Sequence, residues 1–231
     1  MYDILPDNLV VDGELNISNS NITKLPKGLV VKGALLMENT DIEELPADVI
    51  FHDLFAAGSK LKKLPDGLTV RGWLDISGTP MSKLPENLTV KGCFDMSDTN
   101  IDAIPASAKF GSSIMASSSK LTKLPNNLTV NGPLDVSGTP MKTLPENLTV
   151  NGTLTISETD ITVIPDGTKV NGGLTANKSK LSKLPEDFKV STLILDGSPM
   201  TELPKGLTAQ QFAVHNDGLE LVSYEMKIAG F

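Results

Sequence analysis

The sequence predicts a repeat solenoid, mainly β, and three observations predict it. A line of about twenty residues returns along nearly the whole chain: "LPNNLTVNGPLDVSGTPMKT" from Leu124 is followed by "LPENLTVNGTLTISETDITV" from Leu144. A fixed period of this length marks stacked, self-similar units. Within each line the apolar residues alternate, as in Leu148, Val150, Leu154 and Ile156, which is strand period and not helix period. Aromatic residues make up only 4% of the chain and Trp73 is the single tryptophan. A core with so few of the bulkiest side chains suits many thin, similar layers of Leu, Ile and Val.

Counting from the Leu of Leu-Pro, the units start at Leu5, Leu25, Leu45, Leu64, Leu84, Ile104, Leu124, Leu144, Ile164, Leu184 and Leu203. Two intervals are one residue short and the others are twenty. Residues 1–231 therefore read as a single solenoid, with regular coils over 5–203 and a degenerate last coil and carboxy-terminal cap over 204–231. Phe212 and Val214 still fit the strand pattern, and Tyr224 and Phe231 are assigned to the cap.

Positions 2 to 4 form a turn, as in Pro26-Lys27-Gly28 and Pro145-Glu146-Asn147. Proline presets its φ there, and Gly, Asn or Asp two residues on tolerates a left-handed backbone. A short extended piece follows, then a firm strand over positions 10 to 14. Between them stands glycine, at Gly13, Gly33, Gly72, Gly92, Gly132, Gly152 and Gly172. Glycine in such a place marks a bend or the close approach of another backbone. Position 16 is a hydroxyl in the first ten coils, from Ser20 and Thr40 to Ser179 and Ser198. Stacking brings equivalent residues about 4.8 Å apart, so these side chains form a ladder whose hydroxyls satisfy backbone groups leaving the strand. Position 18 returns an apolar residue to the core: Ile42, Leu61, Met81, Ile161.

A longer rhythm overlies the short one. "SKLKKLP" at Ser59, "SKLTKLP" at Ser119 and "SKLSKLP" at Ser179 recur every sixty residues, which indicates duplication of a three-coil block. Lys24, Lys63, Lys83, Lys123 and Lys183 precede Leu-Pro and read as a solvated edge.

Net charge is −8 and the sequence pI about 4.8, which argues against binding nucleic acid through a basic face and permits a basic partner. Cys93 is the only cysteine, so no intrachain disulfide framework exists. The start "MYDILPDNLV" lacks the basic and apolar regions of a signal peptide, and no run is long enough to span a membrane. The expectation is a soluble protein of a reducing compartment, the cytoplasm.

The layout "LP…L.V.G.L.I…T.I..LP" resembles bacterial leucine-rich repeats with twenty-residue units. Such repeats occur in secreted effectors of pathogens and in predicted bacterial and phage proteins. Leu154, Ile156, Ile161 and Ile164 match the family's Leu-x-Val and closing Leu-x-x-Leu-Pro positions. The resemblance implies a curved, right-handed solenoid of about 11 coils with one parallel β-sheet on its concave face, used mostly for binding proteins. Ser or Thr stands where the family carries its asparagine ladder, and the Val-x-Gly insertion is unusual, so a flatter β-solenoid remains the alternative. The helical leader and ligase domain of some effectors have no counterpart, so no catalytic residue carries over.

Outward positions of the firm strand are free to vary without harming the core. In the amino-terminal half they bring Leu36, Phe55, Trp73, Cys93 and Met115 to neighbouring strands, with Asp53, Asp75, Asp95 and Asp135 among them. Exposed apolar clusters mark interaction sites, and aromatics are common anchors of binding energy. Asp75 and Asp95 occupy the same repeat position one coil apart on an open surface, and His52 and His215 are the only histidines. No catalytic group, metal or cofactor is expected. The sequence therefore reads as a non-enzymatic protein-binding module. Its partner is another protein with a basic or mixed apolar surface; neither nucleic acid nor membrane is a direct partner. Given the resemblance, that partner is a host factor in the host cytoplasm, engaged by a bacterial effector or a phage antagonist of host defence. The alternative is an acidic decoy that mimics DNA for a DNA-binding protein. An open solenoid end also offers a route to a homodimer.

Overall fold

Left-handed corners set the path of the chain, two in most of the described turns and only the second in the turns from Leu45 and Ile104. The first falls at position 4, where Asn8, Asn87, Asn127 and Asn147 have φ between 54° and 60° and Gly28 and Gly67 take the same role. The second falls at position 15 and passes through Asn19, Asn39, Gly58, Gly78, Asp98, Ser118, Gly138, Glu158, Lys178 and Gly197. Most of these residue types tolerate a left-handed backbone, because they lack a Cβ or can hydrogen-bond locally. Between the corners the chain is extended, so it closes one turn every nineteen or twenty residues.

The computed structural model describes residues 5–213. They form a parallel β-solenoid of about 10 turns with no helix. Val214, Tyr224 and Phe231, assigned above to the last strand and cap, lie outside the described residues. The chain divides into two compact units, Met1–Met115 and Ala116–Phe231. In the first unit the main stack runs Leu15–Asn16, Ala34–Leu36, Asp53–Phe55, Leu74–Asp75, Phe94–Asp95 and Ile114–Met115. In the second it runs Leu134–Asp135, Leu154–Thr155, Leu174–Thr175, Lys189–Ile194 and Thr208–Ala213. All pairs are parallel and in register.

The strands themselves are short, but the hydrogen-bonded ladder is longer. The N–H groups of Leu74, Ile76 and Gly78 donate to Cys93, Asp95 and Ser97 carbonyls at 3.0, 2.9 and 2.9 Å. Positions 10 to 15 are thus tied to the next turn, as expected of the firm strand. The shorter extended piece also pairs. It makes the strands Val10–Val11 with Val30–Val31, then Thr69–Val70 with Thr89–Val90 and Lys109–Phe110 in the first unit. Thr129–Val130, Thr149–Val150 and Lys169–Val170 do the same in the second.

Alternation along these ladders decides burial. Leu35, Leu54, Leu74, Phe94 and Ile114 are fully buried, as are Met37, Ile76 and Met96 two residues on. Phe94 stacks on Phe110 at 5.3 Å between ring centroids, and Phe51 and Phe188 are the other aromatic rings buried among the described residues. The hydroxyl at position 16 is buried and donates to the carbonyl three residues back: Thr79 to Ile76, Thr99 to Met96 and Ser119 to Ala116, each at 2.7 Å. Ser59 keeps the place but its Oγ has no partner.

Glycine at position 9 answers to close backbone approach. A Cβ on Gly92 would lie 2.5 Å from the Gly72 carbonyl oxygen, whereas one on Gly13, in the first turn, meets nothing within 4 Å. The two short turns lack one residue at this bend. In the turn from Leu184 the two extended pieces fuse into Lys189–Ile194, matched by the equally short Thr208–Ala213. In the turn from Leu45 both neighbours are full length. His52 takes over the glycine's backbone bonds, donating to the Gly33 carbonyl and accepting from the Gly72 N–H, both at 3.0 Å. The shorter ladder cannot stay in step on both sides. Ile50 keeps only a bridge to Val30, and a separate ladder begins at Thr69.

Two expectations follow. Gly92→Ala should cost about 1–3 kcal/mol through the forced contact, while Gly13→Ala should stay within about 0.5 kcal/mol; urea titration of both variants compares them. Ser119→Ala should lose about 1 kcal/mol with its buried hydrogen bond, and Ser59→Ala, which removes an unpartnered hydroxyl, should lose none.

Candidate functional site

The outward side chains of the first unit's main stack fall in two columns, because the pleat sends positions 10 and 12 to the same face. Position 12 carries Leu36, Phe55, Asp75, Asp95 and Met115 on consecutive turns, paired in register Leu36 to Phe55, Phe55 to Asp75, Asp75 to Asp95 and Asp95 to Met115. Position 10 carries Asp53, Trp73 and Cys93. Eight of the nine predicted residues therefore share one face. Asp135 holds position 12 in the second unit, followed there by Thr155 and Thr175.

Trp73 is the most open of the set, 45% exposed; the others in the first unit are half-buried. Its ring lies 6.2 Å from that of Phe55, tilted by 38°, within the range of an aromatic pair. Leu36 is Phe55's neighbour on the other side. The three form one apolar ridge across the turns from Leu25 to Leu64. The Cys93 Sγ lies 3.8 Å from the Ser112 hydroxyl.

The carboxylates have local duties that the sequence reading did not assign. Oδ1 of Asp75 accepts from the Ser77 N–H at 2.9 Å and from its hydroxyl at 2.7 Å. Asp95 accepts from the Ser97 N–H at 2.9 Å and Asp135 from the Ser137 N–H at 2.8 Å. These are side chains that hold a turn by bonding the backbone two residues on. The signal was present as Asp-x-Ser at all three places and as Asn16-Ile17-Ser18, where the neutral amide of Asn16 accepts from the Ser18 N–H at 3.0 Å. Asp53 differs. Its Oδ1 accepts from the Trp73 N–H at 2.6 Å, one turn away, and its Oδ2 contacts His52 Nδ1 at 2.8 Å. Proline fills the same position at Pro133, so the ladder itself does not need this N–H. Asp53 is an added tether on the backbone of Trp73.

The loop edge ahead of Leu-Pro is a charge zipper. Lys60, Lys62 and Lys63 pair with Asp41, Glu43 and Glu44 on the preceding turn at 2.8, 2.7 and 2.8 Å. Lys180 pairs with Asp160 at 2.7 Å in the second unit. The hydrogen bond and charge of Lys63 lower the carboxyl pKa of Glu44, and those of Lys180 lower that of Asp160. Such a carboxylate adds stability above its unfolded pKa and loses it as pH falls through the lower folded value. These pairs are exposed, so the amount is small. Among the described residues no group of three or more His, Cys, Asp or Glu is placed to hold a metal ion.

No family model matches the sequence, and no curated protein matches it. Among solved structures, the chain is similar to YopM from Yersinia enterocolitica WA-314, with 15% identity and a TM-score of 0.32. That match covers 87% of this chain, which spans 65% of the length of the YopM chain.

Replacing Asp75 by Ala should cost about 1 kcal/mol through the lost turn bonds, while Asp75→Asn, which keeps an acceptor oxygen, should be close to neutral. Thermal unfolding of the two variants side by side distinguishes a turn-holding carboxylate from one present only for its charge.

Proposed function

We propose that the chain is a protein-binding module and that the ridge of Leu36, Phe55 and Trp73, rimmed by Asp53, Asp75 and Asp95 and continued by Cys93 and Met115, is its docking surface. One observation carries the reading: an open tryptophan packs against a half-buried phenylalanine on a face whose alternate residues already fill the core. In the second unit the same column carries Asp135, Thr155 and Thr175 before Ile194, and no aromatic side chain. A partner that covers the ridge removes apolar surface from water and finds carboxylates around it. That favours an apolar segment flanked by lysine or arginine. In the effector reading the partner is a host protein. The aspartates also suit a decoy for a DNA-binding protein, but the ridge among them favours an apolar anchor over phosphate mimicry.

Trp73→Ala should weaken the partner's binding by about 2 kcal/mol or more, with Phe55→Ala close behind. Capture of the partner from a host lysate by the wild-type chain, then titration of the purified pair by calorimetry, measures it. Binding unchanged in both variants would remove the ridge from the interface. A steep loss with salt, abolished by Asp75→Asn and Asp95→Asn, would favour the decoy.

A further inference from the structure

Carboxylates stand on three sides of Trp73. Asp75 is the next outward residue along the chain. Asp53 and Phe55 hold the two outward positions on the preceding turn, and Cys93 and Asp95 hold them on the following one. Successive turns lie about 4.8 Å apart, so all three carboxylates are neighbours of the indole. Outward positions 10, 12 and 14 of the first unit carry no lysine or arginine. His52, Arg71 and Lys91 stand at position 8, before the bend. His52 contacts Asp53, and Arg71 lines a hollow on the shorter ladder with Leu68 and Thr69.

The carboxylates differ in the oxygens they have left. Both oxygens of Asp53 are engaged, one by the Trp73 N–H and the other by His52. Asp75 and Asp95 are each held through Oδ1, by Ser77 and Ser97. Neither is in an ion pair among the described residues. The turn bond fixes each carboxyl group and leaves its Oδ2 to accept from outside. Two such groups sit on consecutive turns beside the most open side chain of the ridge, Trp73, 45% exposed.

We propose that the group anchored at the ridge is an arginine guanidinium, stacked on the Trp73 indole with its edge N–H groups donating to Asp75 and Asp95. The inference rests on the ridge being a docking surface and names the group that enters it. Three properties of the site select guanidinium over ammonium. A planar cation stacks on the indole while its donors point sideways. Its fork of donors serves two carboxylates at once, where a lysine ammonium is a point charge. Its weaker hydration suits acceptors that are half-buried, as Asp75 and Asp95 are. The Asp-x-Ser turns already hold both carboxylates, so binding has little left to order. Phe55 and Leu36, on the preceding turns, receive an apolar residue next to the arginine.

The indole N–H of the single tryptophan gives one resonance to follow by heteronuclear NMR. The probes are acetyl-Leu-Arg-Leu-amide and its lysine and norleucine counterparts. The arginine peptide should shift that resonance saturably and bind about fivefold tighter than the lysine peptide. Asp75→Asn combined with Asp95→Asn keeps an acceptor for each turn and should remove most of that preference, with circular dichroism checking the fold. Each single substitution should remove part of it, and serves if the double variant misfolds. Arginine no better than lysine, norleucine as good as either, or a preference that survives the double substitution overturns the guanidinium and leaves an apolar docking ridge standing. Silence from all three peptides at millimolar concentration overturns it and counts against the ridge as well.

Discussion

The hydrogen-bonded ladder between successive turns is the constraint on which the rest depends. Leu54, Ala56 and Gly58 donate to carbonyls nineteen residues further on, at Trp73, Asp75 and Ser77, with lengths of 2.9, 2.8 and 2.8 Å. Each turn is held in register with its neighbour, and a slip by one residue would turn every core side chain outward. The repeat is therefore a statement about register. Leu, Ile, Val and Met recur at inward positions because each must sit on its own counterpart, and a hydroxyl recurs at position 16 where, from Thr40 to Ser198 and Ser59 apart, it donates to the carbonyl three residues back.

That constraint also explains where the chain is free to differ. Inward positions and corners are committed, so individuality collects at outward positions 10 and 12. The Trp73 ridge stands there in the first unit. It is built by substitution on an intact ladder, which Asp53 reinforces by holding the Trp73 N–H.

The solenoid was legible because period, alternation and turn residues all point the same way. The outward direction of Leu36, Phe55, Trp73, Cys93 and Met115 followed from alternation alone. The duties of the aspartates were harder to see. Asp75 and Asp95 read as open charges because repeat position says nothing of side-chain bonding, although the serine two residues on was the clue. The Asp53 tether joins residues twenty apart and depends on the deletion that moves His52 into the glycine's place, so no local pattern announces it. The break at Thr69 was equally hidden: the shortened interval was plain, but the same loss fuses strands in the turn from Leu184, and only the lengths of the neighbouring turns decide which outcome occurs.

The account stands or falls on the ladder's alternation at its most telling residue, the chain's single tryptophan. Acrylamide quenching of the native protein's fluorescence reports on Trp73 alone. Ready quenching in the folded state, with a red-shifted emission that moves little on unfolding, is the predicted result. Emission that is blue-shifted and shielded until the chain unfolds would place Trp73 in the interior and contradict the register from which the docking surface is built.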